Sequence, residues 1–249
     1  MGYNALQDLN MAGVQWELTE QPVIQGIPKT EEKKSGPEST ARNTEKNIVV
    51  PAVAPVVLDS VTKMLESCND IDSLMNVIKN VNHPLRSGAT NTVLPNIAKN
   101  PNGLIIITDM PNTDDDLSGH IFSGNTGDLL DKMLSAIQMS RENVSLIPLV
   151  FWKTPGGRTP LSEELKLTRP ILDKMIDLLK PQIVITFGTL AATEIGQTNL
   201  TSNHGTEIKT DKGYTIIPLF HPNYLILKPS AKKDVWAVLQ NVQKMLKMS

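Results

Sequence analysis

Residues 103–134 read GLIIITDMPNTDDDLSGHIFSGNTGDLLDKML, and the change of period inside this stretch decides the fold. The run GLIIIT (103–108) is continuously apolar and rich in β-branched residues, the pattern of a strand covered on both faces. From residue 127, GDLLDKMLSAIQM (127–139) brings apolar residues three and four apart, the spacing of a helix. Between the two lies a polar loop carrying Asp109, Asp114, Asp115 and Asp116 around a single phenylalanine, Phe122.

The same alternation recurs downstream. NVSLIPLVFW (143–152) reads as a strand and PLSEELKLTRPILDKMIDLLK (160–180) as a helix, with Ser162 as its N-cap and Pro170 as the point where it divides. PQIVITFG (181–188) is a strand ending at a glycine, TLAATEIG a short helix, YTIIPLF (214–220) a strand and KKDVWAVLQNVQKMLKM the closing helix. Upstream, VVLDSVTKMLESC and IDSLMNVIKNV place two helices between about 56 and 81. Short apolar strands alternating with helices predict an α/β fold of three layers, α/β/α, around a central, mainly parallel four-stranded sheet. In such sheets the working loops lie beyond the carboxyl ends of the strands, here at 108–126, 152–160, 188–190 and 220–230.

Around this domain, taken as residues 51–249, the chain changes character. Residues 1–18 carry Leu6, Leu9, Met11, Val14 and Leu18 at helical spacing, an amphipathic helix suited to docking on the domain or on a protein partner. Residues 19–50 are rich in Pro, Glu, Lys, Ser and Thr and read as a disordered linker. The 249-residue chain has a net charge of −2, so any nucleic-acid contact must come from a local patch. A single cysteine, Cys68, excludes a disulfide framework or a multi-thiolate metal site within one chain; no metal and no cofactor are expected, and a reducing, cytoplasmic setting fits. The opening MGYNALQDLN lacks a basic region followed by an apolar one, and no run approaches the roughly 18 apolar residues of a membrane span. A soluble protein with no membrane anchor is expected.

The loop FHPNYLILKP (220–229) sets His221 directly after a strand, followed by Pro222, Asn223, Tyr224 and Leu225. Together with SGHIFSGNTGDLLDKML and TPGGRTP, in that order and at the ends of expected strands, it resembles the uracil-DNA glycosylase superfamily, most nearly its family-four type, in a cluster-free and divergent form. The resemblance runs from about Ala89 to Leu246.

Hydrolysis of a base–sugar bond requires the nucleotide to leave the stack, the departing base anion to be stabilised and water to be aimed at a cationic sugar. The resemblance implies that Asp109 orients or activates that water and that His221 donates toward the departing base. It implies that Pro111 and Phe122 meet the base, and it puts Pro148 where the family has an asparagine that pairs with the uracil edge. It implies DNA contacts from Arg158, Pro222, Asn223, Tyr224, Leu225 and Lys228, with Lys232 and Lys233 as further cations; Arg158 binds phosphate or braces its loop. The implied activity is excision of uracil or a related deaminated base from DNA, by a monomer, in base-excision repair.

Several positions depart from the family pattern. The family's Gly-Glu-Ala/Gly-Pro-Gly loop stands here as Thr108, Asp109, Met110, Pro111 and Asn112, and Ile121 replaces a proline. Trp152 stands where cluster-bearing members have a cysteine. A second class of function therefore stays open, a non-catalytic DNA- or protein-binding module on the same scaffold. Pro148, Thr108 and Asn112 favour it, and Asp109, Phe122 and His221 favour the enzyme. No dinucleotide or P-loop glycine fingerprint follows any strand.

Overall fold

A computed structural model describes residues 55–247. The helix expected over 1–18 and the linker over 19–50 lie outside the described residues. Two helices, α1 (Pro55–Glu66) and α2 (Ile71–Asn80), precede the first strand, β1 (Leu104–Thr108). There follow α3 (Thr113–Ser118), α4 (Gly124–Ala136), β2 (Ser145–Pro148), α5 (Ser162–Leu179), β3 (Ile183–Phe187), α6 (Thr189–Glu194) and α7 (Leu200–Asn203). A short β4 (Ile208–Lys209), β5 (Thr215–Leu219), α8 (Pro222–Leu227) and α9 (Lys232–Lys247) complete the described chain.

The strands form one sheet in the order β2-β1-β3-β5-β4. The first four are mutually parallel, in a register that sets Ile106 beside Leu146 and Ile185, and Ile185 beside Ile217. The sheet thus has five strands rather than the expected four, because β4 adds an antiparallel edge paired at Ile208–Ile216 and Lys209–Thr215. Two residues are too few to show a period in the sequence. On one face Ile106, Ile185 and Ile217 pack with Leu130 and Leu134 of α4 and Val235 and Leu239 of α9. On the other, Ile105, Ile107 and Val184 pack with Val61 of α1, Ile78 of α2 and Leu172 and Met175 of α5. Burial on both faces is why the isoleucine runs are continuous rather than alternating.

Helix α5 runs through Pro170 undivided. An interior proline costs about 3 kcal/mol, but Leu165 and Leu167 before it and Ile171, Leu172, Met175 and Ile176 after it are all buried. Each such side chain contributes roughly 1.5–3 kcal/mol, so packing keeps both halves on the domain. Its N-cap is Leu161 rather than Ser162: the Leu161 N–H donates to the Glu164 carboxylate at 2.7 Å, so the N3 glutamate reaches back over the first turn and Ser162 falls inside the helix. Strand β2 ends at Pro148 instead of reaching residue 152, because its partner β1 ends at Thr108, the residue in register with Pro148. Leu149 closes it, its N–H shared between the carbonyls of Thr108 and Asp109 at 2.9 and 3.0 Å.

From β1 the chain passes to β2 on one side and then returns across to β3 on the other. The sheet order reverses between β1 and β3, and a crevice opens at such a switch point, past the strands' carboxyl ends. Asp109 leaves β1 and Gly188 leaves β3 at that point.

Candidate active site

A cleft of about 1000 Å³ opens over the carboxyl ends of the sheet, lined by Asp109, Pro111, Lys153, His221, Tyr224 and Lys228 among others. Loop geometry fixes each of these positions. Of the four aspartates in the loop after β1, two are architectural. Asn112 caps α3 by accepting from the Asp115 N–H at 2.9 Å, and Asp115 Oδ2 accepts in return from the Asn112 N–H at 3.0 Å, a reciprocal capping box. Asp115 Oδ1 also accepts from Ser123 N–H at 2.7 Å, and burial holds its pKa above the ordinary value despite these bonds. Asp116 Oδ1 accepts from the N–H groups of Thr90 and Asn91 at 2.9 and 3.2 Å. Asp109 and Asp114 are the two that line the cleft.

The Asp109 carboxylate points toward the start of α6. Its Oδ1 accepts from the Ala191 N–H at 2.7 Å, and the Leu190 N–H also stabilises the charged form. Burial outweighs both amides and pushes the carboxyl up to about 6. Gly188, with φ 101°, lies against this carboxylate.

His221 follows β5 and caps α8, its Nδ1 accepting from the Asn223 N–H at 3.1 Å. In the neutral ring the proton therefore sits on Nε2, leaving that atom a donor. Burial pushes the His221 pKa down to about 4, so the ring is neutral at pH 7. Phe122 lies against it, ring centroids 5.6 Å apart and planes within 19°, and meets Phe187 edge-on at 6.2 Å. Phe122 is only 3% exposed, so a base that stacks on this face must first part the two rings. Its φ of 55° is unusual for a bulky residue and is held by Arg141, which donates to the carbonyls of Ile121 and Phe122 at 3.1 and 2.7 Å. A Cβ on Gly127 would collide with the Phe122 carbonyl oxygen, so the glycine lets α4 pass beneath this turn. Arg141 lies far from every recognisable motif and carries no signal of its role in the sequence.

The remaining expected residues divide. Asn223, Tyr224 and Lys228 line the cleft, with the Lys228 ammonium 5.9 Å from the Tyr224 ring centroid. Lys153, from the loop after β2, joins them, whereas Lys232 and Lys233 begin α9 and are not among the cleft-lining residues. Pro222 and Leu225 face inward on α8. Leu225 is 1% exposed, while Ile226 and Leu227 one and two positions on are 41% and 77% exposed. The apolar surface offered outward by this loop is therefore Ile226–Leu227, because the segment is a helix and its inward stripe falls at Pro222 and Leu225, three apart. Pro148 is buried as the last residue of β2, in register with Thr108, and is not among the residues lining the cleft.

Arg158 braces its loop. It holds the buried Glu164 carboxylate in a two-bond pair, Nη1–Oε2 2.8 Å and Nη2–Oε1 2.6 Å, and donates to the Thr159 carbonyl at 3.0 Å. Arg158→Ala leaves a carboxylate that is only 3% exposed without its cationic partner, holding only the Leu161 N–H, and is expected to lower unfolding free energy by about 2 kcal/mol. DNA affinity should stay within about twofold; chemical denaturation and a DNA-binding titration check the two halves.

An iron–sulfur cluster does not fit the region around Trp152. The indole is fully buried, donates from Nε1 to Thr92 Oγ1 at 3.0 Å and stacks on His83 at 4.6 Å. The chain's one thiol, Cys68, is buried after α1, where its Sγ donates to the Met64 carbonyl at 3.3 Å. Among the described residues no helix is long and apolar enough to cross a membrane.

Comparison with known proteins places this geometry in context. The family model described as Uracil DNA glycosylase superfamily matches residues 95–243. The chain is 25% identical over 188 residues to the type-4 uracil-DNA glycosylase of Archaeoglobus fulgidus, covering 71% of this chain and 87% of that protein. It is 27% identical over 144 residues to the enzyme of the same name from Thermotoga maritima, covering 57% and 74%. To that from Pyrobaculum aerophilum it is 32% identical over 124 residues, covering 49% and 63%.

Proposed function

Since the chain belongs to the uracil-DNA glycosylase superfamily, we propose that it is a DNA-repair glycosylase that flips uracil, or a related deaminated base, out of DNA and hydrolyses its bond to deoxyribose. One observation carries the reading. Asp109, after β1, and His221, after β5, flank β3 and line one cleft, a carboxylate and a neutral donor on the two sides of the place a flipped nucleotide must occupy.

Each residue then has a role set by its chemistry. As the glycosidic bond breaks, its electron pair moves onto the base, and the Nε2–H of His221 stabilises the negative charge growing on a base oxygen. The sugar becomes cationic, and the ionised Asp109 carboxylate stabilises it and orients the attacking water, whose oxygen forms the new bond to C1′ and whose released proton neutralises the base anion. Phe122 supports the His221 ring from its buried side. Lys153 and Lys228 meet phosphates beside the cleft, where cations position the strand without reading sequence.

Ile226 and Leu227 take the place the flipped nucleotide vacates. Leu227→Ala is expected to weaken binding to uracil-containing duplex about tenfold, the loss of one buried leucine side chain, and to weaken single-strand binding much less because no stack has to be opened. Titrating both substrates by fluorescence anisotropy checks this.

The reading is tested by incubating the full chain with labelled oligonucleotides carrying uracil, hypoxanthine or xanthine and looking for alkali-labile sites. Strand breaks at uracil are expected. DNA retarded in a salt-dependent way, with no abasic site from any of the three bases, would replace the enzyme by a binding module.

A further inference from the structure

We propose that Gly188 is a positioning residue for this reaction: together with the Leu190 and Ala191 amides it forms a seat that fixes the Asp109 carboxylate. This rests on the excision reaction proposed above and adds the device that aims its carboxylate. The seat is assembled at the point where the sheet order reverses between β1 and β3, so two loops distant in sequence meet there.

The contact is specific. A Cβ built on Gly188 would lie 2.5 Å from Asp109 Cγ and 2.6 Å from its Oδ1, inside the space the carboxylate fills. Oδ1 is meanwhile held 2.7 Å from the Ala191 nitrogen. The carboxylate is therefore held by an amide of this turn and fills the space that a side chain on Gly188 would take. An alanine at 188 must push it off the amide and into the cleft. A glutamate at 109 is longer by one methylene and cannot keep both contacts from the same Cα. The charged and titratable groups sharing the cleft with Asp109 are Asp114 from α3, Lys153 from the loop after β2, Tyr224 on α8, and His221 and Lys228 at the two ends of α8. None of the ion pairs formed among the described residues involves Asp109. The seat itself thus holds the group in place.

Gly188 also has φ 101°, which side chains rarely adopt, so the test must separate aiming from strain. A double-mutant cycle does so. Gly188→Ala in the otherwise native chain is expected to lower kcat about 100-fold with KM within about threefold. The same change in an Asp109→Asn background should cost less than about threefold, because the group it displaces no longer acts. Equal losses in the two backgrounds would overturn the seat and leave only strain. Asp109→Glu, which retains Gly188, should fold and lose at least about tenfold in kcat; native rates from it would overturn the proposal, and it decides the matter if Gly188→Ala does not fold. Should the native chain excise no base, carboxyl NMR reads the seat without activity. The Asp109 carboxyl should titrate near 6 in the native chain and near ~4 once Gly188→Ala expels it into solvent. An unchanged titration would overturn the seat, whereas inactivity alone would count only against the excision reaction.

Discussion

Replacing His221 with alanine is expected to lower kcat for base excision by about 100- to 1000-fold, the cost of removing one donor aimed at developing negative charge. Burial keeps the ring neutral, and its Nδ1 is already engaged by the Asn223 N–H, so the donor available to the base is the Nε2–H. Binding of uncleaved DNA should fall only a few-fold, because the charge to be stabilised exists only in the transition state. His221→Ala also removes the N-cap of α8, at about 1 kcal/mol. His221→Asn separates the two effects: asparagine caps a helix well, so this variant should recover the stability and not the rate. Recovery of the rate by asparagine would mean that His221 acts chiefly as a cap.

Asp109→Asn is expected to lower kcat about 100-fold and to change the pH profile in a defined way. With the carboxyl pushed up to about 6 by burial, native activity should rise through pH 6 as the group ionises, and that acidic limb should be missing from the asparagine variant. Stability should move in the opposite sense. A carboxyl whose folded pKa lies above its unfolded value of ~3.9 binds protons more tightly when folded. Its contribution is therefore fully present below about pH 4 and is lost as pH rises through 6. Asp109→Asn should accordingly melt at a higher temperature than the native chain at pH 8, with the difference shrinking below pH 6. His221 works the other way: with a folded pKa near 4 against an unfolded ~6.5, its contribution is present above pH 6.5 and lost as pH falls toward 4. The two groups oppose each other in the same window, so their contributions largely offset there, and the profiles of the two single variants should tilt away from the native one in opposite directions. Thermal melts from pH 4 to 8 check this.

The parallel core of the sheet is legible in the sequence because burial on both faces turns each strand into an uninterrupted apolar run, and GLIIIT, QIVITF and TIIPL leave little alternative. The antiparallel edge is not legible, since Ile208 and Lys209 have no period to read. Within the site, Asp109, Pro111 and His221 follow strand ends closely while Tyr224 and Lys228 belong to α8 and its end, and all five line the cleft, in segments that open beyond the carboxyl ends of β1 and β5. The positions that strand ends locate less well depend on helical phase or on contacts between loops. Leu225 belongs to a loop until the segment is recognised as α8; then its spacing from Pro222 turns it inward and turns Leu227 outward. Phe122 sits at a strand-end loop, yet it is covered by a ring from another loop. Gly188 is conspicuous only as a glycine after a strand; what it accommodates, a carboxylate leaving a neighbouring strand, exists only once β1 and β3 lie side by side. Arg141 and Glu164 hold the Phe122 turn and the Arg158 loop through contacts that no motif announces.

The most direct test of the account is the release of free base. With a duplex and a single strand each carrying one uracil, at substrate in excess over the full chain, liquid chromatography and mass spectrometry should detect free uracil accumulating in equal amount with abasic DNA over several turnovers, and His221→Ala should reduce that accumulation by about 100-fold or more. DNA that is bound by the native chain while no uracil appears from either substrate, from pH 5 to 8, would contradict it.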